Sequence, residues 1–125
     1  MDPETPQKSE VDAFVIAEIE SVPHLEALLL IWNGRPRKWS VSDMARAIYL
    51  ADNETQLILR DLAQRQLIVM ESDMYRYNAS HPKTDVVAKL DGIYRREIVR
   101  ISNMIHSKPS VSVRAFARAF KLTKD

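Results

Sequence analysis

The sequence predicts a mainly helical protein with one small β-ribbon, an α+β fold. Apolar residues recur every third or fourth position over most of the chain, which is the period of an amphipathic helix. That period drops to every second position between Leu67 and Tyr77, which is the period of a strand. The chain has 125 residues, 46% of them hydrophobic, so we expect one compact domain with helical extensions rather than two domains.

The first part of the chain predicts a lead-in and two helices. Residues 1–9 have the composition of a disordered lead-in, and we place the folded domain at residues 10–79. A short amphipathic helix begins at Glu10 and ends before Pro23, because proline removes a backbone donor and restricts the residue before it. Ser21 then caps a second helix with Pro23 in its first turn. Residues 33–36, Asn-Gly-Arg-Pro, end that helix.

Two further helices follow, separated by a short turn. Ser40 is predicted to cap the first of them, with Asp43 as the acidic partner of a capping box. Its buried side is predicted to carry Met44, Ala45, Ile48 and Tyr49. Leu50 and Ala51 form the turn, and the acidic stretch from Asp52 starts the second helix. Its buried stripe consists of Thr55, Ile58, Leu59 and Leu62.

A two-stranded ribbon completes this unit. Leu67–Glu71 and Met74–Tyr77 alternate as strands do, and Ser72-Asp73 forms the turn between them. Tyr75 and Tyr77 share one face of their strand and are predicted to close the core, while Arg76 points outward. Residues 39–41 are predicted to add a short third strand. Helix, turn, helix and ribbon in this order indicate a winged helix-turn-helix between Trp39 and Asn78.

Residues 84–125 are predicted to form a long helix followed by a short one, for dimerisation or docking. The long helix starts near Thr84 and runs for about 23 residues, about 35 Å at 1.5 Å per residue. Its apolar residues are spaced close to a heptad. This seam consists of Val87, Leu90, Tyr94, Ile98, Ile101 and Ile105. The seam is buried either in a second copy of the chain, which we favour, or against the chain's own first helices. Ser112 is the candidate cap of the short helix, which carries Phe116 and Phe120.

Charge is distributed unevenly along the chain. Residues 1–75 hold seven Lys and Arg against thirteen Asp and Glu, a balance of −6, and residues 76–125 hold eleven against four, a balance of +7. This asymmetry indicates a basic arm for an acidic partner, association of opposite ends, or solvated faces of different sign. The chain has no cysteine, its first residues do not resemble a signal peptide, and no apolar run is long enough to span a membrane. We therefore expect a soluble, cytoplasmic protein with no membrane partner.

Nothing in the sequence predicts catalysis, a metal site or a cofactor. The three histidines, His24, His81 and His106, are far apart and have no carboxylate at ligand spacing. Among two glycines there is no phosphate-binding loop, and no nucleophile elbow or metal signature is present. The sequence therefore predicts a binding protein and not an enzyme.

The second helix of the helix-turn-helix carries side chains suited to reading DNA. Asn53 and Gln56 can pair with adenine and Arg60 with guanine. Phosphate contacts are predicted for five basic residues nearby in the sequence, Arg35, Arg37, Lys38, Arg65 and Arg76. Asp52 and Glu54 oppose this interpretation, because carboxylates repel phosphates.

Residues 39–78 resemble the winged helix-turn-helix of MarR-like bacterial regulators, and the flanking segments look like those of small bacterial winged-helix proteins. The resemblance lies in Ser40–Ile48 and Leu59–Ile68, and covers about a third of the chain. In that family the position of Gln66 is most often glycine, because the helix ends there in a left-handed conformation. The resemblance implies a homodimer with interlocked terminal helices, whose second helices meet two DNA half-sites about one turn apart. The family's long charged wing is absent here, where the turn is only Ser72-Asp73.

We therefore expect a sequence-specific, double-stranded DNA-binding transcriptional regulator that acts as a homodimer. The alternative is an adaptor for protein–protein interaction on the same scaffold, which does not bind DNA and uses the acidic and basic halves of the chain for docking.

Overall fold

Six helices and one antiparallel hairpin make up residues 5–108, the part of the chain that the computed structural model describes, with side chains from residue 8 onward. The helices are α1 (Thr5–Glu18), α2 (Val22–Asn33), α3 (Val41–Ile48), α4 (Asp52–Gln64), α5 (Thr84–Arg96) and α6 (Ile98–His106), and the strands are β1 (Ile68–Glu71) and β2 (Met74–Tyr77). The mainly helical class with a small β-ribbon is confirmed. The predicted Ser112–Phe120 helix and residues 1–4 lie outside the described residues.

The first two helices form where the apolar spacing places them. α1 begins at Thr5, earlier than the Glu10 that the sequence predicts, so the helix takes in part of the expected lead-in. Ser21 caps α2 as predicted, because its Oγ accepts a hydrogen bond from the backbone N–H of His24 at 3.3 Å. Phe14 and Leu28 are among the fully buried residues that these helices contribute to the core.

α3 and α4 are joined by a tight turn. Ser40 caps α3 through a 3.0 Å hydrogen bond that its Oγ accepts from the Asp43 N–H, which confirms the predicted cap. α4 buries its predicted stripe against α2 and α3, and the hydroxyl of the fully buried Thr55 donates to the carbonyl oxygen of Ala51 at 2.9 Å. The prediction for Tyr49 is wrong. α3 ends at Ile48, Tyr49 adopts a left-handed conformation, and its side chain leaves the buried stripe and is 92% exposed.

The hairpin forms with the predicted strands and turn. Ile68 pairs with Tyr77 and Glu71 with Met74, while Ser72 and Asp73 both have positive φ, as the two central residues of a type I′ turn do. Trp39 adds a single antiparallel bridge to Tyr75, with N–H···O distances of 2.7 and 2.8 Å. The predicted third strand is thus present in its shortest form. Tyr75 and Tyr77 are buried, as predicted.

The predicted long helix is broken, which corrects the sequence analysis. Glu97 leaves helical geometry, with φ −130° and ψ 46°, and separates α5 from α6. Both pieces pack on α1 and α2, which a straight helix of about 35 Å does not do on so small a domain. The seam residues Val87, Leu90, Tyr94, Ile101 and Ile105 are buried within the chain, and Ile98 is 52% exposed. The intrachain alternative is therefore the one that the structure shows, and the seam no longer supports the homodimer, which stays a prediction.

The uneven charge distribution has an intrachain explanation. Lys89 of α5 lies 3.0 Å from Glu10 of α1, and Arg100 of α6 lies 2.9 Å from Asp12. Lys108 Nζ donates to backbone carbonyl oxygens at the end of α1, including that of Ile16 at 2.9 Å. Cations at a helix C-terminus are favoured by its unpaired carbonyls and its dipole. Among the described residues, the acidic and basic ends of the chain thus pair with each other.

Candidate functional site

The outer surface of α4 presents the side chains predicted to read DNA. Burial of the apolar stripe of α4 turns Asn53, Gln56, Leu57 and Arg60 toward solvent, and all four are exposed. Within residues 5–108, the side chains of Asn53, Gln56 and Arg60 make no hydrogen bond or ion pair with another residue. Their donors and acceptors are therefore available to a partner.

A cleft of about 460 Å³ separates this surface from the hairpin. α4 contributes Arg60 and the amide side chains of Gln56 and Gln64, and the hairpin contributes Met70 and Asp73. Arg60 is the one cation among its lining residues, which also include Val41, Ala63 and Tyr75. The cleft thus offers a guanidinium and two amides, which can donate hydrogen bonds to phosphates and base edges. The Asp73 carboxylate on the hairpin side repels an anion.

Two of the five predicted phosphate-binding cations are already paired with one carboxylate, that of Glu71. Arg76 Nε donates to Glu71 Oε1 at 2.8 Å, and Lys38 Nζ lies 3.2 Å from Glu71 Oε2. The hydrogen bonds from Arg76 and Lys38 lower the pKa of the Glu71 carboxyl to about 2. A phosphate that binds Lys38 or Arg76 must compete with this carboxylate.

Arg65 is used for the fold. Its guanidinium lies at the C-terminal end of α4 and bonds the Asp61 carboxylate at 3.0 Å and the carbonyl oxygen of Ala17 at 2.9 Å. Glu18 and Glu20 also lie within 4 Å of it. The side chain therefore ties α4 to the end of α1, and the structure does not bring it to the outer surface of α4 with Gln56 and Arg60.

Arg35 and Arg37 lie over aromatic rings in the loop before α3. The guanidinium of Arg35 is 3.4 Å from the ring centroid of Trp32 and donates to the Trp32 carbonyl at 2.7 Å. The guanidinium of Arg37 is 3.7 Å from the ring centroid of Trp39, and its ion pair with Asp43 is long, at 3.8 Å. Cation–π stacking orients a guanidinium without using its outer N–H groups. Both arginines are exposed and keep donors for an anion.

A second polar cluster, which the sequence analysis missed, lies where α2 meets α4. His24 Nδ1 is 2.6 Å from Ser21 Oγ, and His24 Nε2 is 3.3 Å from Asp61. Burial lowers the pKa of His24, although Asp61 and Glu20 act in the opposite direction. The sequence offers no carboxylate at ligand spacing from His24, but the fold brings Asp61 to it. Asp61 is distant in sequence, and no spacing rule connects the two residues.

The described residues contain no group of three or more His, Asp or Glu side chains placed to bind a metal ion. None of the helices between residues 5 and 108 has the length and apolar character needed to cross a membrane. Comparisons of the chain with protein-family models, with curated proteins and with solved structures find no match.

Proposed function

We propose that residues 39–78 form a winged helix-turn-helix and that the protein is a sequence-specific regulator that binds double-stranded DNA. In this proposal α4 enters the major groove, and the cleft between α4 and the hairpin faces the duplex. Gln56, Asn53 and Arg60 contact base edges. Arg37 and Arg35 contact phosphates from the loop before α3.

The uncommitted outer surface of α4 is the observation that carries this proposal. Charged side chains elsewhere on the described surface are largely paired within the chain, for example Lys89 with Glu10 and Arg95 with Asp91. Asn53, Gln56 and Arg60 are exposed, and their side chains bind no other residue between positions 5 and 108. Exposed side chains that do not support the fold and that share one helix surface are free to contact a partner.

The experiment measures duplex binding at two salt concentrations, using the fluorescence anisotropy of a labelled random-sequence duplex. Release of counterions from about four phosphates weakens binding about a hundredfold between about 50 mM and about 200 mM salt. Arg60→Ala combined with Arg37→Ala is expected to weaken binding more than either substitution alone and to make its salt dependence shallower.

Arg96→Ala provides the matched control for Arg60→Ala alone. Arg96 is also an exposed arginine without an ion pair among the described residues, but it lies on α5, which packs on α1 and α2. Each substitution removes one positive charge, so a non-specific charge effect weakens binding equally in both. The proposal requires Arg60→Ala to weaken binding at least about fivefold more than Arg96→Ala. Equal losses, or a wild-type protein without duplex affinity, contradict it.

A protein-interaction adaptor is the second candidate function, and exposed apolar side chains favour it. Leu57 on α4 is 67% exposed and Met70 on the hairpin is 56% exposed, and Asp52 and Glu54 stand at the start of α4. An apolar surface with an acidic border is more typical of protein docking than of phosphate binding. Leu57→Ser is expected to weaken binding to a protein partner, and under this alternative no duplex affinity exists at either salt concentration.

A further inference from the structure

Tyr49, at the turn between α3 and α4, combines two features that are each unfavourable in the free protein. Its φ of 61° lies in the left-handed region, where an L-residue with a bulky side chain is strained and glycine is not. Its side chain is 92% exposed, the highest value among the large hydrophobic residues described. A glycine or an asparagine at this position relieves the strain and removes the exposed ring.

The fold accounts for the backbone conformation but not for the tyrosine. The Tyr49 N–H donates to the carbonyl of Ala45 and the Leu50 N–H to the same carbonyl at 3.0 Å, so the chain must reverse here for α4 to pack on α3. The ring contributes nothing to the core, since almost all of its surface faces solvent. The hydroxyl has no hydrogen-bond partner within residues 5–108.

We propose that Tyr49 is a DNA-backbone contact, whose hydroxyl donates a hydrogen bond to a phosphate oxygen of the duplex bound by α4. This inference rests on the proposed function and adds a residue to the same site. Tyr49 is four positions before Asn53, and the turn that holds it leads directly into α4. Arg46, three positions earlier in the chain, has a side chain that is 79% exposed and is paired with Asp43 at 2.6 Å, so a phosphate that binds this guanidinium must compete with that carboxylate. Tyrosine hydroxyls and arginines are both common phosphate donors.

The test compares duplex affinity and thermal stability in two variants. Tyr49→Phe keeps the ring and removes the hydroxyl, and it is expected to weaken duplex binding about fivefold, the loss of one hydrogen bond to a charged group. Tyr49→Gly is expected to weaken binding at least as much while its Tm equals or exceeds that of the wild type, because the left-handed strain is relieved. A loss of duplex affinity together with an unchanged or higher Tm distinguishes a contact residue from a structural one.

Gln66→Gly is the matched control. Gln66 also has a left-handed φ, 64°, and is exposed, but it stands at the other end of α4. Its replacement relieves comparable strain and is expected to leave duplex affinity unchanged. If the wild type binds duplex and Tyr49→Phe and Tyr49→Gly bind equally well, this inference is overturned while the proposed function stands. A lower Tm in Tyr49→Gly, with unchanged affinity per folded molecule, overturns it as well. A wild type without duplex affinity overturns the proposed function, and this inference with it.

Discussion

The outer surface of α4 and the surface where α5 and α6 meet α1 differ in whether their polar side chains have partners. Around α1 charged groups pair across helices, as Arg100 does with Asp12 at 2.9 Å and Lys89 with Glu10 at 3.0 Å. On α4 the exposed Asn53, Gln56 and Arg60 have no partner within residues 5–108. Both surfaces belong to amphipathic helices whose apolar stripes are buried, apart from Ile98.

The contrast separates the helices that complete the fold from the helix that we propose contacts a partner. α5 and α6 use their apolar and charged residues to cover α1 and α2. α4 uses its apolar stripe and Asp61 for the fold, while Asn53, Gln56 and Arg60 bind no other described residue. Substitutions on the two surfaces test this division.

The largest expected difference between the two surfaces is in the free energy of unfolding. Leu90 of α5 is fully buried, and Leu90→Ala is expected to lower the free energy of unfolding by about 2–5 kcal/mol through lost burial and the cavity left behind. Gln56→Ala on α4 is expected to change it by less than about 0.5 kcal/mol. Urea unfolding, monitored by circular dichroism, measures the free energy of unfolding of both variants. A small effect of Leu90→Ala means that α5 does not pack on α1 in solution.

Arg60, on α4, and Arg65, just after its last residue, are expected to have opposite effects on stability and on duplex affinity. Arg65→Ala removes hydrogen bonds to Asp61 and to the Ala17 carbonyl, and it is expected to lower the free energy of unfolding by about 1–3 kcal/mol. Arg60→Ala is expected to leave stability unchanged and to weaken duplex binding. The same urea and anisotropy measurements apply to both variants. If Arg65→Ala reduces affinity without destabilising the fold, Arg65 belongs to the DNA-binding set after all.

Removing the Glu71 carboxylate is expected to strengthen duplex binding. Glu71→Gln releases Lys38 and Arg76 from their ion pairs and adds one unit of positive charge, so affinity is expected to rise about threefold and its salt dependence to steepen. Unchanged affinity indicates that neither cation faces the duplex.

The same carboxylate gives a pH dependence with a defined sign. Its pKa falls from an ordinary value of 4.5 to about 2 in the folded protein. Its contribution to stability is therefore complete above pH 4.5 and is lost progressively as pH falls toward 2. Urea midpoints are expected to be higher for the wild type than for Glu71→Gln at pH 6, with a smaller difference at pH 3. A difference that does not depend on pH contradicts the ion pairing.

The smallest expected effect concerns His24. Burial lowers its pKa below the ordinary 6.5, so the unfolded chain binds a proton more readily than the folded one. Stability is expected to decline as pH falls below about 6.5. The decline is expected to be weaker in His24→Asn, measured as urea midpoints between pH 7.5 and pH 5. An identical decline in both proteins assigns it to other groups.

Local features were predictable from the sequence because their causes are local. The cap at Ser40, proline in the first turn of α2, the stripe of α4 and the change of period in the hairpin depend on neighbouring residues. The positive φ at Gln66 also agrees with the left-handed helix end that the resemblance implied.

Features that depend on distant residues were not predictable. The seam spacing of α5 and α6 fits a dimer or a monomer equally well, and the break at Glu97 follows from the size of the surface available on α1 and α2. The predicted phosphate-binding residues were chosen by residue type alone. Their carboxylate partners come from other elements: Glu71 pairs with Lys38 and Arg76, and Glu18 pairs with Arg65. Tyr49 was placed in the core by its spacing because the helix end at Ile48 was not recognised.

The most direct test of the division between the two surfaces is the mapping of backbone amide NMR shifts while a short duplex is added. We predict that shifts concentrate in α4 from Asn53 to Gln64, in the turn at Tyr49 and in the hairpin, while amides of α5 and α6 do not move. Shifts confined to α5 and α6, or no shifts at a duplex concentration of about 1 mM, where even weak non-specific binding saturates, contradict the account.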